Sequence, residues 1–122
     1  MEPAIRVMMM PRETNGQGTI FGGVLLSYID QAGAVVAQRH STYRVVTVAM
    51  DKVEFKQAVL VGDIVSFYGT IVRRGRTSLT VEVEVVAERF HQGRSRNIEV
   101  TAATLTFVAV DEGGRPVPHS VA

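Results

Sequence analysis

Apolar residues fall at positions 21, 25, 29, 32 and 36, and again at 24, 28 and 35, which is the spacing of one long helix from Phe21 to about His40. Apolar side chains cover most of its circumference, so the pattern predicts a helix buried on nearly all sides. About twenty residues of helix would span ~30 Å. Ahead of it, residues 4–10 (Ala-Ile-Arg-Val-Met-Met-Met) read as a short strand, ended by Pro11, which has no amide to give a ladder. The loop from Pro11 to Thr19 contains Asn15, Gly16 and Gly18, residues that accept the left-handed backbone of tight reversals. After Arg44 the period shortens to two and predicts four strands, at about 45–55, 64–74, 77–89 and 97–110. In the clearest of them Leu79, Val81, Val83 and Val85 alternate with Thr80, Glu82 and Glu84, one face buried and one wet.

Gly62-Asp63, Gly75 and Gly93 separate these runs, and such short links join antiparallel neighbours. The order is strand, one long helix, four antiparallel strands. A single apolar helix is covered on most sides only when a strongly curved sheet wraps it. The expected fold class is therefore α+β, a hotdog fold with a curved antiparallel sheet around one central helix. A steroid-isomerase-like cone or another small α+β roll is the competing shape. The 122 residues fit one domain, residues 1–122, with an irregular tail from about 112 to 122 that holds Gly113, Gly114, Pro116 and Pro118.

Charge and composition remove several function classes. Thirteen Lys and Arg against twelve Asp and Glu leave a net charge of +1, too balanced for the broad basic face of a non-specific nucleic-acid binder. The chain has no cysteine, so disulfides, thiolate metal sites and cysteine nucleophiles are excluded. Ser27, Asp30 and Gln31 interrupt the most apolar stretch, well short of the ~20 residues of a membrane helix. Glu2 and Arg6 break up the amino-terminal segment, which lacks the apolar run of a secretion signal. A cytoplasmic protein without membrane or nucleic-acid partners is expected.

Asp30 is the only charged residue between Phe21 and Gln38, and a carboxylate in such surroundings needs a reason. On the helical wheel it lies near Gly23, Ser27, Ala34 and Ala37, small side chains that let a backbone or a thin ligand approach. The plain alternative is that Ser27, Asp30, Gln31 and Gln38 form a narrow solvated stripe. Gly22 and Gly23 open the helix, where amides lack intrahelical acceptors and can hold a developing oxyanion, an effect of ~3 kcal/mol in oxyanion holes. A tight entry turn would explain the same pair. Gly23 and Asp30 are ~10 Å apart along one helix, so if both serve one site, Asp30 has to come from a second subunit. Arg73, Arg74, Gly75, Arg76, Thr77 and Ser78 form the densest cationic cluster, at a turn whose guanidinium forks and amides suit phosphate, although a charged hairpin tip also keeps a sheet edge soluble.

Other chemistries fail on spacing. Phe21 stands where a third glycine would complete a dinucleotide fingerprint after Gly16 and Gly18, and no phosphate loop of the nucleotide-hydrolase type occurs. There is no Gly-x-Ser-x-Gly elbow. His40, His91 and His119 lie far apart without metal-ligand spacing, so no metal is expected. His40 reads as a favourable charge at a helix carboxy-terminus.

Thr14-Asn15-x-x-Gly18-x-Ile20-Phe21-Gly22-Gly23 followed by Asp30, then Arg44-Val-Val-Thr-Val48, Val61-Gly62-Asp63, Gly75-Arg-Thr-Ser78 and Phe107-Val-Ala-Val-Asp111, resembles the hotdog acyl-CoA thioesterases, specifically the bacterial YciA-like acyl-CoA hydrolases. The ordered set carries the likeness, over residues 8 to 118 or so. The resemblance implies a catalytic carboxylate at Asp30, a carbonyl-polarising amide at Gly23, a site asparagine at Asn15 and a coenzyme A surface that includes Gly75 to Ser78 with Arg73, Arg74 and Arg76. It further implies dimers with a continuous sheet and sites at the subunit interface, gathered as trimers of dimers, and no cofactor beyond the coenzyme A of the substrate. Gln17 in place of a frequent asparagine, Val24 in place of a bulky aromatic and Gln57 in place of a proline depart from the pattern. They bear on the acyl pocket, for which Val24 and Phe55 are candidates. The expected reaction is hydrolysis of an acyl-CoA thioester, with Asp30 as general base or nucleophile. A non-catalytic acyl-CoA-binding or sensing module is the alternative, and a hotdog dehydratase is disfavoured because no histidine lies near Gly22 or Asp30.

Overall fold

The computed structural model describes residues 1–120. Its elements are β1 (Ile5–Met8), a single 3-10 turn (Pro11–Glu13), α1 (Gly22–Arg39), β2 (Arg44–Met50), β3 (Ile64–Arg74), β4 (Ser78–His91) and β5 (Arg94–Val110). The strands form one antiparallel sheet in the order β1-β3-β4-β5-β2. One helix packed in a curled five-stranded sheet is the hotdog fold that the periodicity predicts.

The curl has local causes. Register shifts between Thr47 and Ala49, Ile71 and Arg73, and Val85 and Val86 each bend a strand and increase its twist. The sheet can then close over α1, whose Leu25, Ile29, Ala32, Val36 and Ala37 pack with Phe67, Val81, Val83, Leu105 and Phe107. Two glycines set the closeness of this packing. A Cβ on Gly33 would lie 2.9 Å from Phe107 Cζ, and one on Gly69 would lie 2.5 Å from Val36 Cγ2.

Four expectations are corrected. The helix is not buried on nearly all sides, because five strands cover only one side of it. Gly23, Ser27, Gln31 and Gln38 stay exposed along an open stripe. The strand expected to reach residue 55 ends at Met50, where the segment from Asp51 keeps isolated bonds to β5, Asp51 N to the Thr104 carbonyl, Lys56 N to that of Val100 and the Thr101 hydroxyl to the Glu54 carbonyl. The β4–β5 hairpin runs further than expected, to a tight turn at Gln92 and Gly93, both at positive φ (50° and 74°), because opposed residues keep pairing up to His91 and Arg94. The first strand also stops at Met8, with Met9 buried beneath the next loop.

Candidate active site

The amino-terminal end of α1 has no side-chain cap. Phe21 occupies the cap position, and its carbonyl accepts the amides of Val24 and Leu25 at 3.1 and 3.4 Å. The Gly22 and Gly23 amides have no acceptor among the described residues, so they remain available donors at the positive end of the helix dipole. Gly23 is exposed and a Cβ there would meet nothing within 4 Å, whereas a Cβ on Gly22 would press on the Phe55 ring at 3.3 Å. Of the pair, Gly22 is the one shaped by packing.

The loop preceding the helix is held to the core at several points. Phe21 donates its amide to the Glu13 carbonyl and Ile20 donates to that of Val59. Asn15 works inside this loop: Nδ2 donates to Thr19 Oγ1 at 2.6 Å and Oδ1 accepts the Gln17 amide at 3.0 Å. The 58–63 segment under Ile20 is fixed by Asp63, a buried carboxylate that accepts Nε and Nη2 of Arg89 at 3.0 and 2.9 Å and the Leu60 amide at 2.9 Å. The hydrogen bond to Asp63 raises the Arg89 guanidinium above its ordinary value against the opposing effect of burial. Asp63 is a structural clamp that the sequence showed only as a turn residue.

Asp30 lies two turns into α1, half-buried beside the open stripe. The Thr47 hydroxyl on β2 donates to its Oδ1 at 2.7 Å, and Oδ2 has no partner among the described residues. One oxygen is thereby oriented by the protein and the other left for a water or a substrate. Thr47 was missed by sequence reasoning. It lies inside the Arg44-Val-Val-Thr-Val48 run of the resemblance but was given no role, because threonine is an ordinary strand residue and its pairing with Asp30 depends on where β2 lands.

An open cleft of about 450 Å³ runs beside the stripe, lined by Glu13, Gly23, Val24, Ser27, Tyr28 and Gln31. Within one chain it brings Gly23 and Val24 together, while Asp30 stays outside its lining, two turns along the helix from Gly23. Phe55, 38% exposed, lies against Gly22 at the same helix end. Arg73, Arg74 and Arg76 are exposed at the β3–β4 turn and form no ion pair among the described residues. That turn is closed by a Gly75 amide to Ser78 carbonyl bond of 2.9 Å. A more spacious cavity of about 830 Å³ lies at the β4–β5 hairpin, walled by Arg89, Arg94 and Arg96 among others, and contains none of the predicted catalytic residues. The described residues hold no group of three or more metal-ligating side chains, and no helix is long and apolar enough to cross a membrane.

One helix in a curled antiparallel sheet defines a hotdog protein, and this one carries an oriented carboxylate, uncapped helix amides and a cationic turn without an ion pair among the described residues. Comparison with known proteins agrees. Residues 17–93 match the thioesterase superfamily. A Zymomonas mobilis protein named as an uncharacterized acyl-CoA thioester hydrolase is 47% identical over 115 residues, covering 94% of this chain and 76% of its own length. The acyl-CoA thioester hydrolase YciA of Salmonella typhimurium is 38% identical over 121 residues, covering 98% and 91%. A hexameric hotdog fold thioesterase of Campylobacter jejuni superposes with a TM-score of 0.92 at 49% identity, covering 98% of this chain and 91% of that one. The chain belongs to the thioesterase superfamily, among the YciA-type hotdog hydrolases.

Proposed function

We propose that the chain hydrolyses acyl-CoA thioesters to the free carboxylic acid and coenzyme A, acting in the cytoplasm as a single 1–122 domain assembled into a trimer of dimers. Asp30 is the catalytic carboxylate. The observation that carries this reading is its asymmetric setting, one oxygen held by Thr47 and the other without a partner among the described residues, beside the open stripe of the helix. In a general-base route the free oxygen takes a proton from water as the water oxygen bonds to the thioester carbon. In a nucleophilic route it bonds to that carbon itself and the resulting anhydride is then hydrolysed. In both, the carbonyl electrons move onto oxygen, return to break the C–S bond, and leave coenzyme A as a thiol once its sulfur is protonated.

The transient oxyanion is held by the Gly23 amide. Since Gly23 and Asp30 stand ~10 Å apart on one helix, the two come from different copies. The exposed edge strand β2, with Val48 54% exposed, suits pairing with its own copy, which extends the sheet and carries Asp30 and Thr47 to the interface. Asn15 keeps its loop in shape and retains one amide hydrogen for the reacting water. Arg73, Arg74 and Arg76, with Gly75, Thr77 and Ser78, hold the coenzyme A phosphates, while Val24 and Phe55 meet the acyl chain.

Thiol release measured across acyl-CoAs of increasing length tests this reading directly. The protein should liberate coenzyme A, and Asp30→Ala should lower turnover by about a hundredfold or more with coenzyme A binding kept. Binding of acyl-CoA without thiol release, or an Asp30→Ala variant as active as the parent, would overturn it.

A further inference from the structure

The carboxy-terminal segment is bonded to the β3–β4 turn. It reverses at Asp111, whose Oδ1 accepts the Gly113 and Arg115 amides at 2.9 Å each, and Val117 then donates to the Ala109 carbonyl. His119 reaches the turn itself. Its amide donates to the Arg76 carbonyl at 3.3 Å, and its ring Nε2 lies 2.6 Å from the Gly75 carbonyl oxygen. A carbonyl only accepts, so Nε2 carries the proton. The carbonyl of His119 is in turn held by the amide and hydroxyl of Thr42 at 2.7 and 3.1 Å, which anchors it to the loop after α1. The Ala109 amide takes the third carbonyl of the turn, that of Thr77, at 2.9 Å.

The carbonyls of Gly75, Arg76 and Thr77 are therefore all occupied from one side by the last strand and the segment after it. The amides of Arg76 and Thr77 have no acceptor among the described residues, and the neighbouring guanidiniums form no ion pair. The carbonyls of Gly75, Arg76 and Thr77 are occupied while the Arg76 and Thr77 amides and the cations remain available, the polarity an anionic ligand needs. The ring of His119 is not an incidental surface contact, since its Nδ1 is buried and has no partner among the described residues. Burying a ring nitrogen without a partner opposes folding, so the Gly75 bond and the backbone anchors hold the ring in place against that penalty.

We infer that His119 is a positioning residue that clamps the Gly75–Ser78 turn in its ligand-ready shape, so that the enzyme's grip on the coenzyme A phosphates depends on its Nε2–H. This rests on the reading of that turn as the phosphate contact. The physical reason is preorganisation: a loose turn loses conformational freedom on binding, and that loss subtracts from affinity. Catalysis at Asp30 does not involve the clamp, so the effect belongs in KM and not in kcat.

The test compares an acyl-CoA with the same acyl group on N-acetylcysteamine, which lacks every phosphate. His119→Phe, which keeps ring bulk without the donor, should raise KM for the acyl-CoA about five- to tenfold, change kcat less than about twofold, and leave kcat/KM for the N-acetylcysteamine thioester as in the parent. His119→Gln, which places an N–H near the position of Nε2, should restore KM. An unchanged acyl-CoA KM in His119→Phe overturns the inference, as does an equal loss on both substrates or a glutamine variant no better than phenylalanine. Arg73→Ala and Arg76→Ala separate the two readings. If they raise KM for the acyl-CoA while His119→Phe does not, only the clamp fails. If they leave it unchanged, the turn is not the phosphate contact and the clamp falls with it.

Discussion

Asp30 and Thr47 differ in how far each can be found from sequence, although both belong to one hydrogen bond. Asp30 is conspicuous as the only charged residue between Phe21 and Gln38. Thr47 lies 17 residues further on, in a strand where a threonine needs no explanation, and the contact exists only because β2 packs across the helix at that height. The bond also gives Thr47 a measurable role. A hydroxyl donating to a carboxylate contributes about 1.5–3 kcal/mol, here by fixing the orientation of Oδ1 and hence of the second oxygen, the one proposed to react. Thr47→Ala should lower kcat by about tenfold or more, with Thr47→Ser recovering most of it because the hydroxyl survives. A steady-state comparison of the three proteins decides the matter, and a serine variant as slow as the alanine variant would point to the methyl group instead. Asn15 shows the opposite case. Only the resemblance gave it a place in the site, and its described bonds are within its own loop.

At the scale of elements, the alternation in β4 was fully legible because each of its faces meets one environment, the core on one side and water on the other. The coverage of the helix was not. Periodicity reports which positions are apolar without reporting what covers them, and the stripe at Ser27, Gln31 and Gln38 that the sequence offered only as the plain alternative is open and includes Gly23. Glycines at the helix–sheet contact carry information that a propensity reading discards. Gly69 looks like a weak point in a strand, yet a Cβ there would sit 2.5 Å from Val36 Cγ2 and 3.4 Å from Val81 Cγ1, and valine side chains have few rotamers with which to yield. Gly69→Ala should therefore destabilise the fold by about 1–3 kcal/mol through overpacking, although alanine is normally the better residue in a regular element. Chemical denaturation of the two proteins checks this. A stability equal to or above the parent would mean that the helix has room to withdraw from the sheet.

For the whole molecule, the decisive question is whether a working site needs two copies, and the geometry makes this a matter of counting. Asp30 and the Gly23 amide are held ~10 Å apart by one rigid helix, so no movement short of unwinding α1 joins them on one thioester carbon. Two copies paired through β2 would create two sites, each with the carboxylate of one and the amide of the other. Asp30→Ala removes the carboxylate from one copy's contribution, and Gly23→Pro removes the amide from the other's. Proline is tolerated in the first turn of a helix, and the space beside Gly23 is open. Each variant alone should be nearly inactive. When the two are unfolded together and refolded at equal concentration, about half of the dimers are mixed. One site of each mixed dimer then receives both defects and the other receives neither, so activity should return to about a quarter of the parent level. Sites built within a single chain would give no recovery at any mixing ratio, because every chain in the mixture lacks one of the two groups.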